Sequence, residues 1–101
     1  MNLFARQGDL IIDRLTSPIT GELVAVKNLV FAGDSTGHPH TLTGAALHRV
    51  DGPTTFVRIT KPLKLVHGRG GGHKPIAMPA GDYAIRKKRE RGDKTDRPVV
   101  D

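Results

Sequence analysis

The stretch from Thr54 to His67, TTFVRITKPLKLVH, decides the fold. Its first seven residues are β-branched or aromatic except for Arg58, and they follow Asp51-Gly52-Pro53, a strong turn signal, so the chain enters them extended. Pro62 cannot donate to a sheet ladder and interrupts the strand. LKLVH then resumes it, and the two-residue period puts Leu63, Leu65 and His67 on one face. A strand that stops and restarts thus carries a histidine onto a face that also holds two apolar side chains.

The same reading extends outward. Gly8-Asp9 precedes Leu10-Ile11-Ile12, a short apolar run closed by Asp13 and the Ser17-Pro18 turn signal. ELVAVKNLVFAG, opened by Gly21, is rich in Val and Leu and bounded by glycines, which favours one or two strands over a helix. Thr41 to Val50 is a further short segment, and Pro79-Ala80-Gly81 turns the chain into DYAIRKK, whose alternation suits a last strand. About six short strands without any sustained 3.6-residue period predict an all-β domain, a small barrel or sandwich. That single domain is expected to span residues 1–90, with residues 91–101 as a polar, extended C-terminal arm.

Composition narrows the function classes. A chain of 101 residues with 37% apolar content, no Trp, one Tyr and three Phe has a thin core of Leu, Ile and Val, and gains from homo-oligomerisation or a bound ion. The absence of Cys excludes disulfides, thiolate metal sites and a Cys nucleophile. No segment approaches the roughly 20 apolar residues of a membrane-spanning helix, and MNLFARQGDL lacks the apolar run of a signal peptide, so a cytoplasmic protein without membrane association is expected.

GDSTGHPH, residues 33–40, fits two incompatible patterns. Gly33-Asp34-Ser35-Thr36-Gly37 matches the G-x-S-x-G nucleophile elbow, which needs a helix directly after the serine. Pro39 holds His38 extended and Thr41, Thr43 and Gly44 follow, so that helix is denied and a plain turn is expected. His38 and His40, by contrast, project to one side of an extended segment about 6.6 Å apart. With His67 and His73 they make three or four imidazoles, the right type and number for a divalent transition metal such as zinc, nickel or iron. The bland reading is a solvated His-Pro-His loop with His67 as a satisfied core residue. His48, beside Arg49 and an apolar neighbour, is expected to be structural. No acidic residue stands at an obvious general-base spacing from these histidines, which argues against hydrolysis.

The order of landmarks resembles a group of small, largely uncharacterised bacterial and phage proteins with the pattern G-x-x-T-G-H-x-H, then H-x-x-H-x-P-I-x-L-P-x-G-x-Y and a basic strand ending in Arg-Glu. Gly33, Thr36, Gly37, His38 and His40 match the first block; His73, Pro75, Ile76, Pro79, Gly81, Tyr83, Arg89 and Glu90 match the later ones. The resemblance implies that the two histidine blocks belong together. It departs at Gly68-Arg69-Gly70-Gly71-Gly72, a longer insert where the group carries acidic residues, which leaves the geometry of His67 relative to His73 open. A looser resemblance, at the level of fold, is to cupins, small barrels that hold a metal with an H-x-H pair and a later His; here no Glu follows His40 at the cupin spacing.

The formal charge of +6 is uneven: from Arg86 to Arg97 there are seven basic residues and three acidic ones. Arg86, Lys87, Lys88 and Arg89, with Arg69 in the glycine loop, are candidate anion-binding residues. Aromatic interleaving for base stacking is missing, so nucleic acid is not the favoured partner. Two functions follow as expectations. One is a metal site of structural or catalytic role at His38, His40, His67 and His73; the other is an oligomeric interaction module of phage type whose basic arm grips an anionic partner.

Overall fold

The computed structural model describes residues 2–32, 39–68, 74–87, 89–91 and 96–98. Its strands are β1 (Asn2–Gln7), β2 (Leu10–Arg14), β3 (Val24–Phe31), β4 (His40–Asp51), β5 (Thr54–Ile59), β6 (Leu63–His67), β7 (Ile76–Met78), β8 (Gly81–Lys87), β9 (Arg89–Arg91) and β10 (Asp96–Pro98). The first eight form one antiparallel sheet in the order β1-β2-β8-β5-β4-β6-β7, with β3 on β4, and it curls into a nearly closed barrel. The all-β expectation holds, and the strand count exceeds the expected six. β1 was not legible as a strand, and prolines cut two long strands into four pieces. Arg89–Arg91 and Asp96–Pro98 pair with each other in a separate ladder. Among the described residues no helix is long and apolar enough to cross a membrane.

The restarting strand is the key to the architecture. Leu47 and His48 pair with both β3 and β5, while His40, Thr41 and Leu42 pair with both β3 and β6. A strand has two edges, so β5 and β6 must share one edge of β4. β7 lies on β6 and β8 on β5 in the same way, from Leu63↔Met78 on one side of the gap to Ile59↔Gly81 on the other. Residues 54–67 and 76–87 therefore act as two long strands, each broken at the same level, at 60–62 and at 79–80.

β4 passes that level at Gly44, whose φ of +110° suits only glycine, and β3 passes it at a bulge between Lys27 and Leu29. The Gly44 N–H freed from the ladder donates to Asn28 Oδ1 at 2.8 Å. Four strands thus bend along one line, and the halves of the sheet fold over a shared core. That core includes Leu10, Ile12, Leu42, Val57, Leu65 and Tyr83, all essentially inaccessible. Each buried aliphatic chain of this size contributes about 1.5–3 kcal/mol. Tyr83 meets Phe4 edge-on at 5.4 Å and donates its hydroxyl to Pro79 O at 2.7 Å, so its polar tip is satisfied beside the break.

The bend end has its own polar clamp. Arg58 donates to both oxygens of Asp82 at 3.0 Å, and Asp82 Oδ2 also accepts from Ile19 N at 2.9 Å. Leu15 N donates to Asp82 O, so the connection between β2 and β3 is pinned to the barrel wall. The hydrogen bond from Arg58 holds the Asp82 carboxyl below its ordinary value of 3.8.

Two outcomes test this account. At Gly44 a Cβ would lie 2.5 Å from Leu63 Cδ2 on a left-handed backbone, so Gly44→Ala should destabilise the fold by about 2 kcal/mol or more in urea unfolding. Because the folded-state value of Asp82 is depressed, its contribution is complete above the unfolded value and is lost as pH falls through the folded one. Melting of the native chain and of Asp82→Asn should therefore differ at about pH 6 and converge toward about pH 2.

Candidate functional site

Opposite the bend, where the two halves of the sheet meet, lies a buried polar cluster. Gln7 ends β1, and Gly8-Asp9 forms the two-residue turn into β2. Gly8, at φ +57°, occupies the first turn position, as hairpins of this length require. The tight turn aims Gln7 and Asp9 into the barrel, where they are 1% and 0% exposed. From the other half come His40 and His67, direct partners in the β4–β6 register, at 0% and 3% exposure. Their rings stack with centroids 4.1 Å apart and planes 12° from parallel.

The hydrogen bonds fix the orientation of each group. Gln7 Nε2 donates to Leu65 O at 2.9 Å and to Lys74 O at 3.0 Å, which uses both amide hydrogens. Gln7 Oε1 therefore faces His40 Nδ1 at 3.0 Å, and that ring nitrogen carries the hydrogen. The second ring nitrogen, Nε2, lies 3.0 Å from Asp9 Oδ1. Asp9 Oδ2 is buried and has no hydrogen-bond partner among the described residues.

Of the predicted metal set, His40 and His67 are brought together, with His67 sharing the buried face of Leu65 as the strand period requires. His38 and His73 lie outside the described residues, as do Ser35 and the 69–72 part of the glycine loop. Each histidine adjoins the cluster in sequence: His38 is two residues before His40, and His73 precedes Lys74. Among the described residues no group of three or more His, Asp or Glu side chains is arranged to hold a metal ion. His48 is half-buried on β4, with Nδ1 3.0 Å from Val24 O.

Sequence reasoning missed Gln7 and Asp9. A Gly-Asp pair between two β-rich runs is a hairpin signal. The strand before it is hidden in the sequence because Leu3-Phe4-Ala5 is a continuous apolar run without a two-residue alternation.

Of the predicted anion-binding residues, Arg86 and Lys87 lie side by side at the end of β8. Arg86 is half-exposed with Nη2 3.7 Å from Asp13 Oδ2, a loose ion pair. Arg69 and Lys88 lie outside the described residues, and of Arg89 only the backbone is described, in β9. A shallow groove of about 480 Å³ runs over β3 and β4 between Ala25, Val26, Lys27, Ala45, Ala46, Leu47 and Thr60, and holds none of the predicted site residues.

The family model described as a domain of unknown function (DUF8820) matches residues 6–88, most of the chain, and the chain belongs to that family. No curated protein and no solved structure matches it.

Gln7→Leu would remove both donors to Leu65 O and Lys74 O and the acceptor for His40, leaving buried groups unpaired. It should destabilise the protein by about 3 kcal/mol or more in chemical denaturation. Gln7→Ala would lose the same bonds. A change under about 1 kcal/mol for both variants would show that the cluster contributes little to the fold.

Proposed function

Starting from membership of a family without an assigned activity, we propose that this chain is a small metal-binding barrel holding a divalent transition metal, zinc, nickel or iron, at its histidine end. The observation that carries the reading is the placement of His40 and His67. Two imidazoles from separate strands are brought into register, stacked and buried at the end of the barrel where its two halves meet. Imidazole is the commonest protein ligand for such ions, and a buried pair is already desolvated.

Two further histidines, His38 and His73, flank these strands in sequence and are the candidates for completing the set. The burial of His40 and His67 favours a structural ion over a catalytic one, since a catalytic site keeps a position open to substrate. A thin apolar core gains most from such an ion, because binding to the folded state alone adds directly to stability.

The test uses the purified chain without an added histidine tag. Elemental analysis should find about one equivalent of zinc, nickel or iron, reduced severalfold in His38→Ala/His73→Ala. Chelator should lower the melting temperature of the unmodified chain by about 10 °C or more, as expected for a ligand present well above its dissociation constant. Absence of stoichiometric metal together with unchanged melting in chelator would overturn the reading.

A further inference from the structure

We propose that the gap between Asp9 and His40 Nε2 is a cation seat and that Asp9 is an oxygen ligand of the ion held there. This rests on the metal-binding reading above and adds to it a ligand that no histidine pattern contains.

The argument starts from Gln7. Its two amide hydrogens are committed to Leu65 O and Lys74 O, so its oxygen must be the atom that meets His40 Nδ1. A neutral imidazole with its hydrogen on Nδ1 presents a lone pair at Nε2. That lone pair is aimed at Asp9 Oδ1 from 3.0 Å, in a place where His40 and Asp9 are both fully inaccessible. Two electron-rich atoms do not stay at that distance, away from water, without positive charge between them.

The charge is either one proton or a metal ion. A proton leaves Asp9 Oδ2 without a donor among the described residues, a costly state for a buried carboxylate oxygen. A divalent ion at the seat offers its charge to both carboxylate oxygens at once. The spacing also fits: two ligand atoms about 2.0–2.1 Å from a tetrahedral ion are about 3.3 Å apart, and the 3.0 Å found between Nε2 and Oδ1 needs only a slight opening to admit one.

Gln7 then has the position of an outer-shell residue, since a metal-bound histidine donates its remaining ring N–H to a fixed acceptor. It is a positioning residue, with Asp9 and His40 as the ligands. A mixed imidazole and carboxylate set selects borderline or hard divalent ions, zinc, iron(II) or manganese, over soft copper(I). The seat is also where the β1–β2 turn meets β4, so the ion would tie the N-terminal hairpin to the opposite half of the sheet.

Cobalt(II) titration of the untagged, chelator-stripped full chain, followed by absorption and NMR, tests the assignment. The expected result is one bound cobalt whose pseudocontact shifts place it between the Asp9 carboxylate and the His40 ring. Asp9→Asn, with its circular dichroism unchanged, should bind at least about 100-fold more weakly. Cobalt located elsewhere, or bound as tightly by Asp9→Asn, would overturn the assignment while leaving the histidine reading in place. Failure of the native chain to bind cobalt, zinc or iron(II) would overturn both. If Asp9→Asn does not fold, the shifts in the native chain decide alone.

Discussion

The barrel depends on one side-chain amide. The sheet begins at β1 and ends at β7, and Gln7 spans the seam between them by donating to Leu65 O on β6 and Lys74 O ahead of β7. No other residue type of that length brings two donors and one acceptor on a planar group without a charge. Lys would carry an unpaired charge inward, and Glu would set a carboxylate against two carbonyl oxygens. Among the described residues no ladder crosses this seam, so the amide does there what backbone bonds do elsewhere.

Polar groups hold both ends of the molecule and the apolar core lies between. At the bend, Arg58 and Asp82 face partly toward water and pin the β2–β3 connection, an arrangement whose worth is limited by solvent screening. At the seam, Gln7, Asp9, His40 and His67 are withdrawn from water altogether. Burial of that kind raises the stakes of every hydrogen bond, since a satisfied network specifies one packing and a partly satisfied one opposes folding. The two ends are therefore unequal: the first can weaken gradually, while the second works as a unit.

Much of the fold was legible because its signals are local. The β-branched run at Thr54, the break at Pro62 and the resumption at Leu63 are visible in a window of fourteen residues, and they correspond to β5, the bend and β6. What a window cannot show is that Gly44, Pro62 and Pro79 fall at one level, because their alignment is set by pairing register between strands far apart in the chain. The candidate site divides the same way. His67 could be placed on a core face by period alone, and His40 followed from the His-Pro-His motif. Asp9, 31 residues from His40, and Gln7, 58 from Leu65, enter through tertiary contact only. Their one local trace, the Gly8-Asp9 turn, marks a hairpin without saying what it will meet.

The alternation of hairpin and distant partner has a bearing on how the protein is made. β1 and β2 pair at once through a two-residue turn, but the other edge of β2 belongs to β8, with Leu10 opposite Lys87. At a synthesis rate of about 5–20 residues per second, the roughly 77 residues between those positions take about 4–15 s to emerge from the ribosome. Throughout that interval the nascent hairpin carries Leu10 and Ile12 with nothing to cover them and a strand edge with nothing to pair. For this chain the hazard of aggregation is greatest before β8 has been made, because only then can the open edge of β2 be paired.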